Sequence, residues 1–208
     1  MRTATGAGWG CECKVGQRDR AHVRLQANGG WGVSTRRMRM PRTGRTDACV
    51  AVVEDGMAVV PFNRGDSLAG VPLNGKGKVS VDHWSWRDDQ RGTDAVTPVL
   101  HEGKVYVLKD GGPQRGRVTC MDAKTGKHLW ESQLPKGPQV YYASPVLAGD
   151  RFYAVREDGM VFSGTIGAEG LVDIKSHALE EGVIASPIVA NGRLLVRTDN
   201  HLFCFGEK

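Results

Sequence analysis

The sequence predicts an all-β fold: an incomplete β-propeller of about four four-stranded antiparallel blades, arranged as an open arc. Three observations carry this. Near-identical openings recur along the chain: Thr97-Pro98-Val99-Leu100, Ser144-Pro145-Val146-Leu147 and Ser186-Pro187-Ile188-Val189, at offsets of 47 and 42 residues. A period in the forties with strand-type text marks propeller blades rather than helical arrays. Glycine, at 28 of 208 residues, is about twice the usual share and points to many tight turns, hence many short strands. No stretch holds an apolar period of 3.6 residues long enough for a stable helix.

The elements follow in chain order. A weak first copy of the repeat (CVAVVEDGMAVV) begins at Cys49 and predicts strands at 50–53, 57–62, 68–73 and 78–86. The second repeat predicts 98–100, 104–109, 117–122 and 128–134. The third predicts 145–147, 151–156, 160–166 and 171–177, and the last 187–189, 193–198 and 202–205. Ser176 to Glu181 (SHALEE) reads as locally helical but is too short to stand alone. Glu102-Gly103, Gly149-Asp150, Asp158-Gly159, Asn191-Gly192 and Asp199-Asn200 supply turn chemistry between strands. Proline opens three of the first strands, where its missing N–H removes no interior ladder bond. The blades are therefore expected at about 47–96, 97–143, 144–185 and 186–208, the last short of a strand.

Charge separates the repeats from what precedes them. Residues 1–46 carry ten Lys/Arg against two acids, whereas 47–208 carry 18 against 21. The first 46 residues are expected to be an unstructured extension, or text foreign to the native reading frame. They show no RNA-binding signature or aromatic platform, so nucleic acid is not expected as a partner. They also lack the apolar stretch of a secretory signal peptide. No apolar run reaches 18 residues, so no membrane-spanning helix is expected.

The segment Val118-Thr119-Cys120-Met121-Asp122-Ala123-Lys124-Thr125-Gly126-Lys127-His128-Leu129-Trp130 resembles the tryptophan-docking repeat of the PQQ-like β-propeller family, whose pattern is roughly A-x-D-x-x-T-G-K-x-x-W. Cys120 takes the alanine position, and Asp122, Thr125, Gly126, Lys127 and Trp130 match. These five form the structural repeat motif: Asp122 caps the turn, Gly126 supplies a left-handed residue, and Trp130 anchors one blade against the next. The other repeats echo the motif only in part.

The catalytic members of the family hold pyrroloquinoline quinone on the axis of a full ring, with a vicinal disulfide and acidic groups around calcium. This sequence has no adjacent cysteines, and its acids fall mostly in turns. The resemblance therefore implies the noncatalytic, outer-membrane-assembly-like branch, without catalytic, cofactor-binding or metal residues. It implies an exported or periplasmic interaction scaffold whose protein partner the sequence does not name. The alternative is a fragment of a quinone-dependent oxidoreductase.

Other signals are weak. Six histidines form no ligand cluster, and there is no G-x-S-x-G elbow. The run from Asn74 to Lys78 (NGKGK) lacks phosphate-loop spacing. Cys120 and Cys204 occupy equivalent third-strand positions two repeats apart and are expected to remain unlinked. The richest polar–aromatic cluster, from Asp82 to Arg91, offers Trp84, Trp86 and Arg87 as an interaction surface, with inter-blade docking of one Trp as the rival role. With one strand missing, both end blades are expected to expose apolar faces. The remaining blades of a longer chain, or a second copy, would then close the ring.

Overall fold

A computed structural model describes residues 50–62, 67–74 and 80–206, together with the backbone of 11–16, 20–25 and 36–38. Antiparallel meanders dominate. Strands β4 (Val52–Glu54), β5 (Met57–Phe62), β6 (Ser67–Pro72) and β7 (Trp86–Asp88) form the first blade. The second comprises β8 (Val99–His101), β9 (Lys104–Leu108), β10 (Arg117–Asp122) and β11 (His128–Gln133). The third comprises β12 (Val146–Ala148), β13 (Arg151–Val155), β14 (Met160–Ile166) and β15 (Leu171–Ala178). The last has three strands, β16 (Ile188–Ala190), β17 (Arg193–Arg197) and β18 (Leu202–Phe205). The first strands of successive blades lie beside one another, β4 by β8, β8 by β12 and β12 by β16. This is an open propeller arc, as expected.

The pleat sends alternate side chains to opposite neighbours. From β9, Val105 and Val107 enter the core shared with the first blade, while Tyr106 and Leu108 enter the core shared with the third. From β13, Phe152 and Ala154 face back and Tyr153 and Val155 face forward. Both faces of these strands are apolar because both are covered. The hairpins Asp55-Gly56, Glu102-Gly103 and Asn191-Gly192 have positive φ at both residues, the mirror-image turn that matches strand twist.

Two expectations need correction. The fourth strand of the first blade does not span 78–86. Val81–His83 is a single 3-10 turn, with the Ser80 hydroxyl bonded to Asp82 and His83, and the strand begins at Trp86. The strand expected at 171–177 is present and runs to Ala178: Ser176 to Ala178 pair with Met160 to Phe162, so tertiary pairing overrides the locally helical text. Ahead of the repeats, β1 (Cys11–Gly16), β2 (Arg20–Leu25) and β3 (Arg36–Met38) pair antiparallel in a separate sheet. The period-2 alternation of Cys11, Cys13, Val15 and of Ala21, Val23, Leu25 accounts for this pairing, and the excess of arginine masks it. Residues 75–79 of the Gly/Lys-rich run lie outside the described residues.

Candidate functional site

The repeat motif forms a self-capped turn. Asp122 Oδ1 accepts from Lys124 N–H (3.1 Å), Thr125 N–H (2.8 Å) and the Thr125 hydroxyl (2.7 Å). Asp122 N–H donates to the Lys127 carbonyl and Gly126 N–H to the Asp122 carbonyl, both at 2.9 Å. The Thr125 hydroxyl bond, followed by those from the backbone, holds the Asp122 carboxyl below the usual carboxylate range. Gly126 has φ +70°, the left-handed region that glycine tolerates best. Lys127 completes the turn through its backbone, and Trp130 is buried in the core between the second and third blades, 5.9 Å from the Tyr106 ring.

That turn receives a tryptophan from the preceding blade. Trp86 Nε1 donates to the Ala123 carbonyl at 2.9 Å, inside the junction. Its indole fills a slot floored by glycines. A Cβ on Gly70 would stand 2.0 Å from Trp86 Nε1, and one on Gly126 2.5 Å from its Cδ2. Gly126 is therefore required twice, by the turn and by the tryptophan.

The three side chains of the polar–aromatic cluster separate. Trp86 enters the junction, whereas Trp84 and Arg87 lie together on the opposite face of the first blade. There Trp84 packs edge-on against Phe62 (5.4 Å), and the Arg87 guanidinium sits 5.2 Å above the same ring. Arg87 is also paired with Asp89 at 2.7 Å. These contacts help to bury the outer face of the first blade: Ala58, Val60, Phe62, Ala69 and Val71 form a closed cluster. Among the described residues, the outer apolar face of the first blade is therefore buried rather than exposed as expected.

The last blade does expose one. Ile188 and Leu202 are 60% and 67% accessible. Cys204 on the same strand as Leu202 is an exposed free thiol, whereas Cys120 is buried and its thiol pKa is pushed up to about 11 by burial. Inward, Leu194, Val196, Phe203 and Phe205 join the core with the third blade. The outer edge of β18 has no fourth strand beside it among the described residues.

Two hydrogen bonds recur at the junctions, and sequence reasoning missed both. Val50 N–H donates to Thr97 Oγ1 (3.4 Å), Thr97 N–H to Ser144 Oγ (2.9 Å), and Ser144 N–H to Ser186 Oγ (2.9 Å). The Ser or Thr that opens each repeat thus accepts from the equivalent backbone position one blade earlier. Three residues before that hydroxyl, Tyr141 N–H donates to the Asp110 carbonyl, and Val183 N–H to the Glu157 carbonyl, both at 2.9 Å. The repeated [S/T]-P carries the signal, but taken locally it marks the period and not a side-chain acceptor.

Ion pairs brace the rims. Arg91 bridges Asp88 (2.8 Å) and Glu131 (3.3 Å), tying the first blade to the second. Buried Arg156 pairs with Asp158 at 2.8 Å, donates to the Pro135 carbonyl and lies over Phe162. The Arg156 hydrogen bond holds Asp158 below its ordinary value, and burial pushes the Tyr141 hydroxyl up to about 12. Among the described residues, no three His, Cys, Asp or Glu side chains converge as a metal site would need. No described helix is long and apolar enough to cross a membrane.

Residues 76–170 match the family model described as outer membrane protein assembly factor BamB. A comparison with curated proteins finds no match. Among solved structures, BamB from Moraxella catarrhalis is similar with a TM-score of 0.57 and 15% identity, over 79% of this chain and 48% of that one. The computationally designed Ika4 protein is similar with a TM-score of 0.61 and 10% identity, over 81% of this chain and 96% of that one. A quinohemoprotein alcohol dehydrogenase from Pseudomonas putida HK5 is similar with a TM-score of 0.53 and 13% identity, over 73% of this chain and 28% of that one. The chain thus spans about half the length of the BamB structure it matches. At these identities the likenesses are likenesses of fold.

Proposed function

Since the chain belongs to the PQQ-like β-propeller repeat family, we propose that it acts as a noncatalytic scaffold for protein interaction in the bacterial cell envelope, exported or periplasmic. The open face of the last blade carries this reading. Ile188 and Leu202 stand exposed on one face of a three-stranded sheet whose outer edge, β18, has no described partner strand. Apolar faces of this kind mark interaction surfaces. The partner is a protein, and blades of a longer chain or of a second copy are the forms it can take. The BamB description of the matched family supports the envelope setting.

The rival reading, a piece of a quinone-dependent oxidoreductase, draws on the likeness to the alcohol dehydrogenase alone. Photocrosslinking in envelope extracts tests the proposal. The intact chain should capture a discrete partner, and Ile188→Asp with Leu202→Asp should abolish capture without lowering the melting temperature. Equal capture by both proteins would overturn it, as would dye reduction when the chain is mixed with pyrroloquinoline quinone, calcium and an alcohol.

A further inference from the structure

The junction bonds have a direction, and the last blade holds both of their unmatched ends. Each opening residue gives its N–H forward, to a hydroxyl on the next blade. Ser186 has already accepted from Ser144, but its own N–H meets no described acceptor, and the residue is exposed. Asp199 is the counterpart of Asp110 and Glu157. Its N–H is bonded to the Gly182 carbonyl, as Glu157 N–H is to the Val140 carbonyl, yet no described residue donates to its own carbonyl. A donor at Ser186, an acceptor at Asp199 and the aliphatic side chains Ile188 and Leu202 therefore share one face.

We propose that this face docks a further blade of the same repeat type, one opened by Ser or Thr. The hydroxyl of that residue would accept from Ser186 N–H, and the N–H three residues before it would donate to the Asp199 carbonyl. The apolar face behind it would cover Ile188 and Leu202, as Leu194 and Val196 cover the third blade. This deepens the scaffold reading and rests on it in treating the face as functional.

A second copy of this chain does not meet the requirement. Its first blade opens with Val50, which has no hydroxyl to offer, so the series of bonds would stop there. Its outer face is also closed already, with Phe62 at 2% and Val71 at 0% accessibility. Two independent features thus point away from head-to-tail self-association.

The test extends the full chain after Lys208 with a second copy of residues 125–185. In that register the added text supplies the fourth strand and then a blade opened by the copied Ser144. A matched protein carries Ser144→Val in the added copy, the residue type found at position 50. With serine, the Ser186 amide should exchange roughly ten-fold or more slowly than with valine, since local protection tracks the bond's opening equilibrium. Equal exchange in the two extended proteins would overturn the proposal, as would an added segment that stays unfolded with serine present. Protection of the Ser186 amide in the unextended chain, with dimers at micromolar concentration, would assign the face to a second copy instead. Amide exchange reads only the docking chemistry, and crosslinking in extracts reads only the scaffold role, so one can fail without the other.

Discussion

The outer faces of the first and last blades have the same strand architecture and opposite fates. On the first blade, small and branched residues from β5 and β6 surround Phe62, and Trp84 and Arg87 lie over its ring. On the last blade, the corresponding surface leaves Ile188 and Leu202 about two-thirds exposed and offers no aromatic cover. The family pattern alone would treat the two ends as equivalent. Part of the difference lies at β7: Trp84, which follows a 3-10 turn, and Arg87, within the strand, both lie on Phe62. Among the described residues, the outer face of the first blade is thus covered and that of the last blade is not.

The sharpest way to break this comparison is to truncate one residue on each face. Phe62→Ala should cost about 3–5 kcal/mol, the usual cost of emptying a buried aromatic site. Leu202→Ala should change stability by less than about 0.5 kcal/mol. Equal losses in urea unfolding would mean that the two faces are equally covered.

The next largest effect tests the sealed junction. Gly126→Val should cost about 2–4 kcal/mol, through the left-handed turn and through overlap with the Trp86 indole. Lys124→Gln, on the exposed part of the same turn, should be nearly neutral. Thermal melting of the two variants side by side decides the matter.

Smaller still, Ser144→Ala should cost about 1 kcal/mol by removing the acceptor for Thr97 N–H. The loss should be read as faster exchange at the Thr97 amide. Unchanged exchange there would remove the hydroxyl from the junction.

The mildest effect is in pH. Asp122 and Asp158 have folded-state pKa values below their ordinary carboxylate value, through Thr125 and Arg156 respectively. Both bind protons more readily when unfolded, so their stabilisation is present above about pH 4 and is lost as pH falls through the lowered folded values. The melting temperature should stay level from pH 7 to 5 and drop below about pH 4. Asp158→Asn should flatten that drop, and a drop of undiminished size would assign it to other carboxylates.

Much of this was legible from residue order. Strands β10, β14 and β18 end where pattern and turn residues place them, because short apolar runs bounded by Asp, Gly or Asn leave little freedom of register. The turn from Asp122 to Gly126 was readable for the same reason, since its side chains bond to their own backbone. Contacts across repeats were harder. The choice between Trp84 and Trp86 depends on Gly70, in a strand a linker away, and on Ala123, in the next blade. Ser176 to Ala178 has helical text but pairs with Met160 to Phe162, a partner that local propensity ignores. The role of Thr97, Ser144 and Ser186 was hidden because a hydroxyl before proline reads locally as turn chemistry, while its donor lies 42 to 47 residues upstream.

The forward direction of those hydroxyl bonds also sets an order in time. On a chain emerging from the ribosome, each opening N–H appears one whole repeat before the oxygen that satisfies it. Domains are laid down from the N-terminal side as synthesis proceeds. The joint after Val50 can be secured only once Thr97 has emerged, and the joint after Thr97 only once Ser144 has. Nascent blades are therefore fastened one by one by the blade behind them, and at every moment of translation the newest repeat is the one still waiting for its latch.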